Sequence, residues 1–96
     1  MTGILYKDKT TNEDKDLTVT GIFVEIGLVP NTDFIKVLVK VDEYSRIEID
    51  PWAQATSLPG IWAAGDCTNV KYHQNNISAG DAVRALEDIY IALRAK

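Results

Sequence analysis

The chain has 96 residues, of which 46% are hydrophobic and 25% charged, and its formal net charge is −4. This length suits one small domain, and the acidic balance with scattered basic residues argues against binding to nucleic acid or to an anionic membrane surface. One cysteine excludes an internal disulfide, and the sequence has neither an apolar run that could span a membrane nor a signal-peptide core, which predicts a cytoplasmic protein.

The amino-terminal part of the chain has the pattern of a β-hairpin. Side chains alternate loosely between the two sides of a strand from Gly3 to Lys9. The polar segment 10–16 follows and contains Asn12, a common turn residue. The alternation resumes at Leu17 and Val19, so two antiparallel strands joined by a loop of several residues are expected.

Three later segments have strand-like patterns. The run Gly21-Ile-Phe-Val-Glu-Ile-Gly27 has consecutive apolar positions, as does Ile61-Trp-Ala-Ala64, and both are typical of strands covered on two faces in a parallel sheet. Arg46-Ile-Glu-Ile-Asp50 alternates and predicts a half-exposed strand. The segment 32–39 is compatible with either a short helix or a strand.

The end of the chain predicts one long helix that begins between Asn75 and Ser78 and runs almost to the last residue. Arg84 and Asp88 are four residues apart, a spacing that allows a weak ion pair on the helix surface. The fold class that these elements predict is α/β, with a β-hairpin, short strands and a carboxy-terminal helix. Apolar residues recur at three- and four-residue intervals on one helix face: Ala82, Val83, Leu86, Ile89, Tyr90 and Leu93.

The segment with the most chemical information is Ile61-Trp-Ala-Ala-Gly-Asp-Cys-Thr68. A glycine and an aspartate directly follow a short apolar strand, the position at which open α/β sheets bind ligands. Gly65 allows a ligand to approach the backbone, and Asp66 offers acceptor oxygens to sugar hydroxyls. The helix that follows presents free N–H groups to a phosphate. An ordinary turn in which Asp66 caps a helix would have the same local pattern.

Three segments, in this order and spacing, resemble the pyridine nucleotide–disulfide oxidoreductases, and especially their thioredoxin reductase-like branch with the alkyl hydroperoxide reductase flavoproteins. Ser57-Leu-Pro-Gly-Ile-Trp-Ala-Ala-Gly-Asp66 resembles the second flavin-binding motif of that family. Gly21-Ile-Phe-Val-Glu-Ile-Gly-Leu-Val-Pro-Asn-Thr32 resembles the segment that returns from the nicotinamide domain to the flavin domain. Tyr72-His-Gln-Asn75, continued by Ile77-Ser-Ala-Gly80, resembles the start of the last helix, although His73 stands where relatives often have Arg or Lys.

The resemblance implies a partial FAD/NAD(P)-binding domain, with FAD as cofactor and NAD(P)H as co-substrate of the intact parent. Gly65 and Asp66 would face the ribityl and phosphate region of FAD, and Gln74 and Asn75 would lie against the flavin ring. Residues 1–26 would be the terminal hairpin and strand of the nicotinamide-nucleotide domain. Residues 27–96 would be the carboxy-terminal part of the FAD-binding domain.

The six glycines do not form the Gly-rich phosphate loop of this family, and a single cysteine cannot form its redox pair. We therefore expect a carboxy-terminal fragment of a disulfide reductase that is inactive by itself, with no metal site and no catalytic residue of its own. Its expected partner is the amino-terminal part of the flavoprotein, or a second copy in a homo-oligomer. Two alternatives stay open: a non-catalytic, self-associating chain without a ligand, and a piece of a ferredoxin–NADP reductase-type flavoprotein.

Overall fold

A computed structural model describes residues 1–95 as a small α/β structure with two antiparallel hairpins and one long helix. The predicted fold class is therefore confirmed. No helix within these residues is both long and apolar enough to cross a membrane. In chain order the elements are β1 (Ile4–Lys7), β2 (Asp14–Leu17), β3 (Ile49–Asp50), β4 (Ala55–Thr56) and α1 (Asn75–Arg94).

The amino-terminal hairpin is confirmed, with Ile4 opposite Leu17 at one end of the β1–β2 ladder. The connecting loop turns back through Asn12, whose φ of 58° lies in the left-handed region that asparagine tolerates. Asp8 accepts hydrogen bonds from loop backbone N–H groups and pairs with the Lys15 ammonium group. This bond from Lys15, followed by the backbone bonds, lowers the pKa of the Asp8 carboxyl.

The run Gly21–Gly27 is not the covered strand that its apolar pattern predicts. Phe23 is 91% exposed and Ile26 is 89% exposed. No backbone–backbone hydrogen bond within residues 1–95 involves residues 18–31. A strand covered on both faces needs neighbouring strands and a layer on each face. The described part of the chain supplies neither beside this run, so the prediction is wrong here.

The segment 32–39 forms helical turns, because the N–H groups of Ile35 and Lys36 both bind the carbonyl oxygen of Thr32. The strand predicted at 46–50 is reduced to isolated bridges around Ile47 and to the two residues of β3. Ile47 is only 6% exposed and lies parallel to residues 67–69, since its N–H donates to Cys67 O and its carbonyl accepts from Asn69 N–H. This contact fixes the position of the Gly-Asp turn.

Two hydrogen bonds join the middle of α1 to distant parts of the chain. The indole Nε1–H of Trp62 donates to Asp88 Oδ2 over 2.7 Å, and Arg84 Nη1 donates to Pro51 O over 2.9 Å. The prediction of a surface ion pair between Arg84 and Asp88 is therefore wrong, because Arg84 binds Pro51 O and Asp88 binds Trp62 instead. Arg84 pairs instead with Asp81, at 3.2 Å. The buried strand predicted at 61–64 is half-buried and has a single bridge, from Trp62 to Ala55.

The helix predicted at the end of the chain is confirmed as Asn75–Arg94, but most of its apolar face lies in contact with solvent. Leu86 is 62% exposed and Leu93 is 67% exposed. Ala85 is the buried apolar residue of this helix, and it joins Val39 and Ile47 in a very small core. So few buried side chains give specific hydrogen bonds an unusually large share in holding α1 in place.

The Trp62–Asp88 bond gives a direct test of how α1 is attached. We expect Trp62→Phe to lower the free energy of unfolding by about 1–2 kcal/mol, since it leaves a charged acceptor without its donor. Trp52→Phe is the matched control, because Trp52 is 88% exposed, and it should change stability by less than about 0.5 kcal/mol. Urea unfolding followed by circular dichroism measures both. Equal effects of the two substitutions would contradict this account.

Candidate functional site

The turn after Ala64 is held closed by Thr68. The backbone N–H and the side-chain hydroxyl of Thr68 both donate to the carbonyl oxygen of Gly65, at 3.0 and 2.7 Å. Thr68 is fully buried, and Gly65 has a φ of 84°, a conformation that L side chains rarely adopt. The turn thus buries Gly65 and leaves the neighbouring Asp66 side chain 49% exposed.

The amino terminus of α1 packs directly on this turn. A Cβ atom at Gly65 would lie 3.2 Å from Ser78 Oγ and 3.3 Å from Ser78 Cβ, closer than most real contacts of that kind. The Ser78 hydroxyl donates to Asp66 Oδ1 over 3.2 Å. The missing side chain at Gly65 therefore allows Asp66 and the first turns of α1 to be adjacent.

The first turn of α1 has no cap from a side chain. Gln74 precedes the helix in an extended conformation, and its side chain makes no capping hydrogen bond. The N–H group of Ser78 is the first to bind within the helix, to Gln74 O at 2.9 Å. The preceding N–H groups have no intrahelical partner, and the helix dipole adds partial positive charge here. No acidic residue in the first turn offsets that charge.

These parts enclose a groove of about 600 Å³ at the helix terminus. Three of the four predicted site residues, Asp66, Gln74 and Asn75, line it together. The fourth, Gly65, is buried and does not line the groove, but its contact with Ser78 brings the turn and the helix together. The lining also includes Glu25, from the exposed run, and His73.

A second groove of about 410 Å³ shares Glu25, Asp66 and His73 with the first and extends towards Tyr44 and Arg46. The sequence interpretation gave no role to Glu25. The only signal in the sequence was a charged residue within an otherwise apolar run. His73 departs from the Arg or Lys of relatives, but it lies in the segment that the resemblance places at the flavin, directly before Gln74. Both belong to the site through tertiary proximity to Asp66.

Cys67 follows Asp66 and is not an activated nucleophile. Its thiol lies 3.5 Å from the carbonyl oxygen of Ala64. Burial raises the pKa of the Cys67 thiol, and the adjacent Asp66 carboxylate adds to this effect. A raised pKa reduces the thiolate fraction at neutral pH, and the thiolate is the nucleophilic form. A redox role for this lone thiol therefore has no support in its surroundings.

The amino-acid sequence of the chain matches a known protein family. The family described as pyridine nucleotide-disulphide oxidoreductase matches residues 2–87. The chain belongs to this family. Its resemblance to that family, inferred from three segments, is thereby confirmed.

The individual relatives have two different names. A protein named alkyl hydroperoxide reductase F, from Pseudomonas putida, is 45% identical over 85 residues, which is 88% of this chain and 16% of that protein. A protein named NADH dehydrogenase from Bacillus subtilis is 45% identical over 83 residues, or 86% of this chain and 16% of the relative. The chain thus spans about a sixth of the length of these curated relatives.

Solved structures agree with the sequence comparison. The thioredoxin reductase of T. acidophilum superposes with a TM-score of 0.85 and 41% identity, covering 95% of this chain and 30% of that one. The thioredoxin reductase of Lactococcus lactis gives a TM-score of 0.83 and 31% identity, covering 93% and 29%. The arrangement of hairpin, turn and helix is therefore that of one part of a thioredoxin reductase.

The close packing at Gly65 can be tested by adding one methyl group. We expect Gly65→Ala to destabilise the chain by about 1–3 kcal/mol, because alanine is strained at positive φ and its Cβ atom meets Ser78. The matched control is Gly80→Ala in α1, where the added Cβ atom meets nothing within 4 Å. That change should stabilise the helix by about 0.5–1 kcal/mol. Thermal unfolding measures the stability of both variants. If Gly65→Ala leaves the stability unchanged, the close packing of Gly65 on Ser78 is contradicted.

Proposed function

We propose that this chain carries the carboxy-terminal part of the FAD site of an NAD(P)H-dependent flavoprotein disulfide reductase. Residues 27–96 form the carboxy-terminal part of its FAD-binding domain, and residues 1–26 form the end of its nicotinamide-nucleotide domain. The observation that carries the proposal is the groove shared by Asp66, Gln74 and Asn75 at an uncapped helix terminus. Membership of the family and the similarity to thioredoxin reductases support the same assignment.

The residues present fit the chemical groups of FAD. The half-exposed Asp66 carboxylate is an acceptor for the hydroxyls of a ribityl chain. The free N–H groups at the start of α1 are donors for phosphate oxygens or for the polar edge of a flavin ring. Gln74 and Asn75 are exposed and line the groove, where their amides would bind that edge. Gly65 contributes indirectly, because its missing side chain allows Ser78 and Asp66 to be adjacent.

FAD, when bound, supplies the electron transfer between NAD(P)H and a disulfide. The residues of this chain bind and orient it, and they take no part as acids, bases or nucleophiles. The sequence lacks the Gly-rich phosphate loop and the pair of redox cysteines. We therefore propose that the chain by itself does not turn over NAD(P)H.

The proposal is tested by equilibrating the purified chain with excess FAD, removing free ligand and recording the visible absorption spectrum. We expect the wild-type chain to retain a measurable flavin band. In the Asp66→Asn variant, the affinity for FAD should fall by about tenfold, because the amide weakens the contacts with ligand hydroxyls. Glu87→Gln is the control, since Glu87 is an exposed carboxylate outside both grooves. Equal flavin retention by all three proteins, or none in any of them, would contradict the proposal.

A second candidate is a non-catalytic chain that associates with itself, and the exposed apolar face of α1 favours it. Leu86 and Leu93 on this face are more than half exposed, as are Phe23 and Ile26 of the unpaired run. Exposed apolar patches drive association. In a longer flavoprotein the same surfaces would be covered by its amino-terminal part.

Self-association predicts a weight-average mass that rises with protein concentration in sedimentation equilibrium. Leu86→Lys should shift the profile towards monomer, because it places a charge on the exposed face of α1. The control Glu87→Gln should leave the profile unchanged. A wild-type chain that stays monomeric at every concentration would exclude this second candidate.

A further inference from the structure

His73 lies beside the Asp66 carboxylate, and the flavin contacts proposed above leave its side chain without a role. Its Nδ1 atom is buried and has no hydrogen-bond partner within residues 1–95. The same atom is 3.6 Å from Asp66 Oδ1. A buried polar atom without a partner is costly, and a charged imidazolium that moves slightly towards Asp66 would give Nδ1 a charge-assisted hydrogen bond.

The contacts of the Asp66 carboxylate are asymmetric. Ser78 Oγ donates to Oδ1, and His73 Nδ1 approaches the same oxygen. In the described part of the chain, Oδ2 receives no bond from a protein donor. Ser78 therefore holds one oxygen atom of Asp66, His73 lies next to the same oxygen, and the other oxygen is left for a ligand in the groove.

The charges around His73 are mainly negative. Glu25 lines both grooves together with Asp66 and His73. Arg46 is the cation of the second groove, and its guanidinium is already bound by the Asp42 carboxylate at 2.7 Å.

Two further cations lie near His73, and each is held over an aromatic ring. The Arg46 guanidinium lies 5.0 Å from the ring centroid of Tyr44, the phenol of the second groove. On the chain segment of His73 itself, the Lys71 ammonium lies over the ring of Tyr72, 5.3 Å from its centroid. Among the described residues, His73 is the basic side chain that lies within 4 Å of the Asp66 carboxylate.

We infer that His73 is a positioning residue for Asp66, and that its charge makes the binding of a phosphorylated flavin nucleotide dependent on pH. The second half of this inference rests on the proposed FAD site. Histidine side chains change charge between about pH 5 and 8. The charged imidazolium holds Asp66 Oδ1 and reduces the negative charge that opposes a diphosphate. Binding is therefore tighter below this range than above it.

The positioning role is tested without any ligand, by thermal unfolding of the full chain. Wild type, His73→Gln, Asp66→Asn and the double variant are compared at about pH 5.5 and 8.5, on either side of the range in which histidine changes charge. At the lower pH, we expect the shift in Tm of the double variant to differ by about 2–4 °C from the sum of the shifts of the two single variants. At the higher pH, the shifts should be additive. Equal coupling at both pH values, or none at either, would overturn the inference.

His73→Lys is the second variant, and it serves even if Asp66→Asn fails to fold. Lysine is charged at both pH values, so the stability of His73→Lys relative to His73→Gln should be the same at both. Wild type should exceed His73→Gln only at the lower pH. A wild-type advantage that does not change with pH would assign His73 a packing role and contradict the inference.

The second half of the inference, the role of His73 in nucleotide binding, is tested by measuring the affinity of the chain for FAD at about pH 6 and 8. We expect wild type to bind about threefold more tightly at the lower pH, and His73→Gln to lose this difference. A pH dependence that survives in His73→Gln would refute the role of His73 in binding. If no variant binds FAD, the proposed function fails together with this half, and the thermal coupling alone decides whether His73 positions Asp66.

Discussion

The site depends on the direct packing of α1 against the turn at Gly65. No side chain separates Gly65 from Ser78, and the left-handed φ of the turn suits glycine and few other residues. Thr68 closes the turn from inside by two bonds to a single carbonyl oxygen. Because the Thr68 hydroxyl bond is short and buried and glycine leaves room for Ser78, the Asp66 carboxylate and the free N–H groups of α1 are brought together without a large core beneath them.

The small core explains why the surroundings of the site are so exposed. Val39, Ile47 and Ala85 are the buried apolar residues of the described chain, whereas the apolar face of α1 and the run 21–27 lie in contact with solvent. The curated relatives are about six times longer than the matched region. Exposed apolar surfaces of this extent are typical of interaction sites, and under the proposed function the remaining part of the flavoprotein would cover them.

The sequence predicted the features that depend on local interactions. The hairpin follows from its alternation and its Asn12 turn, and α1 follows from a helical period over many residues. The run 21–27 could not be predicted in the same way, because whether an apolar segment pairs depends on strands that residues 1–95 do not supply. Likewise, Glu25 entered the site only through tertiary packing. His73 lies in the segment Tyr72–Asn75, which the resemblance already places at the flavin, but its proximity to Asp66 could not be predicted from the sequence.

The central claim is that the turn and the helix terminus act as one ligand site. Amide chemical shifts of the labelled chain during an FAD titration test it most directly. The account predicts that the shifted signals are those of Gly65, Asp66, Gln74 and Asn75, with smaller changes near Glu25, while Trp62 and residues beyond Asp88 stay unchanged. Signals that move only along the apolar face of α1, or none that move at saturating FAD, would contradict it.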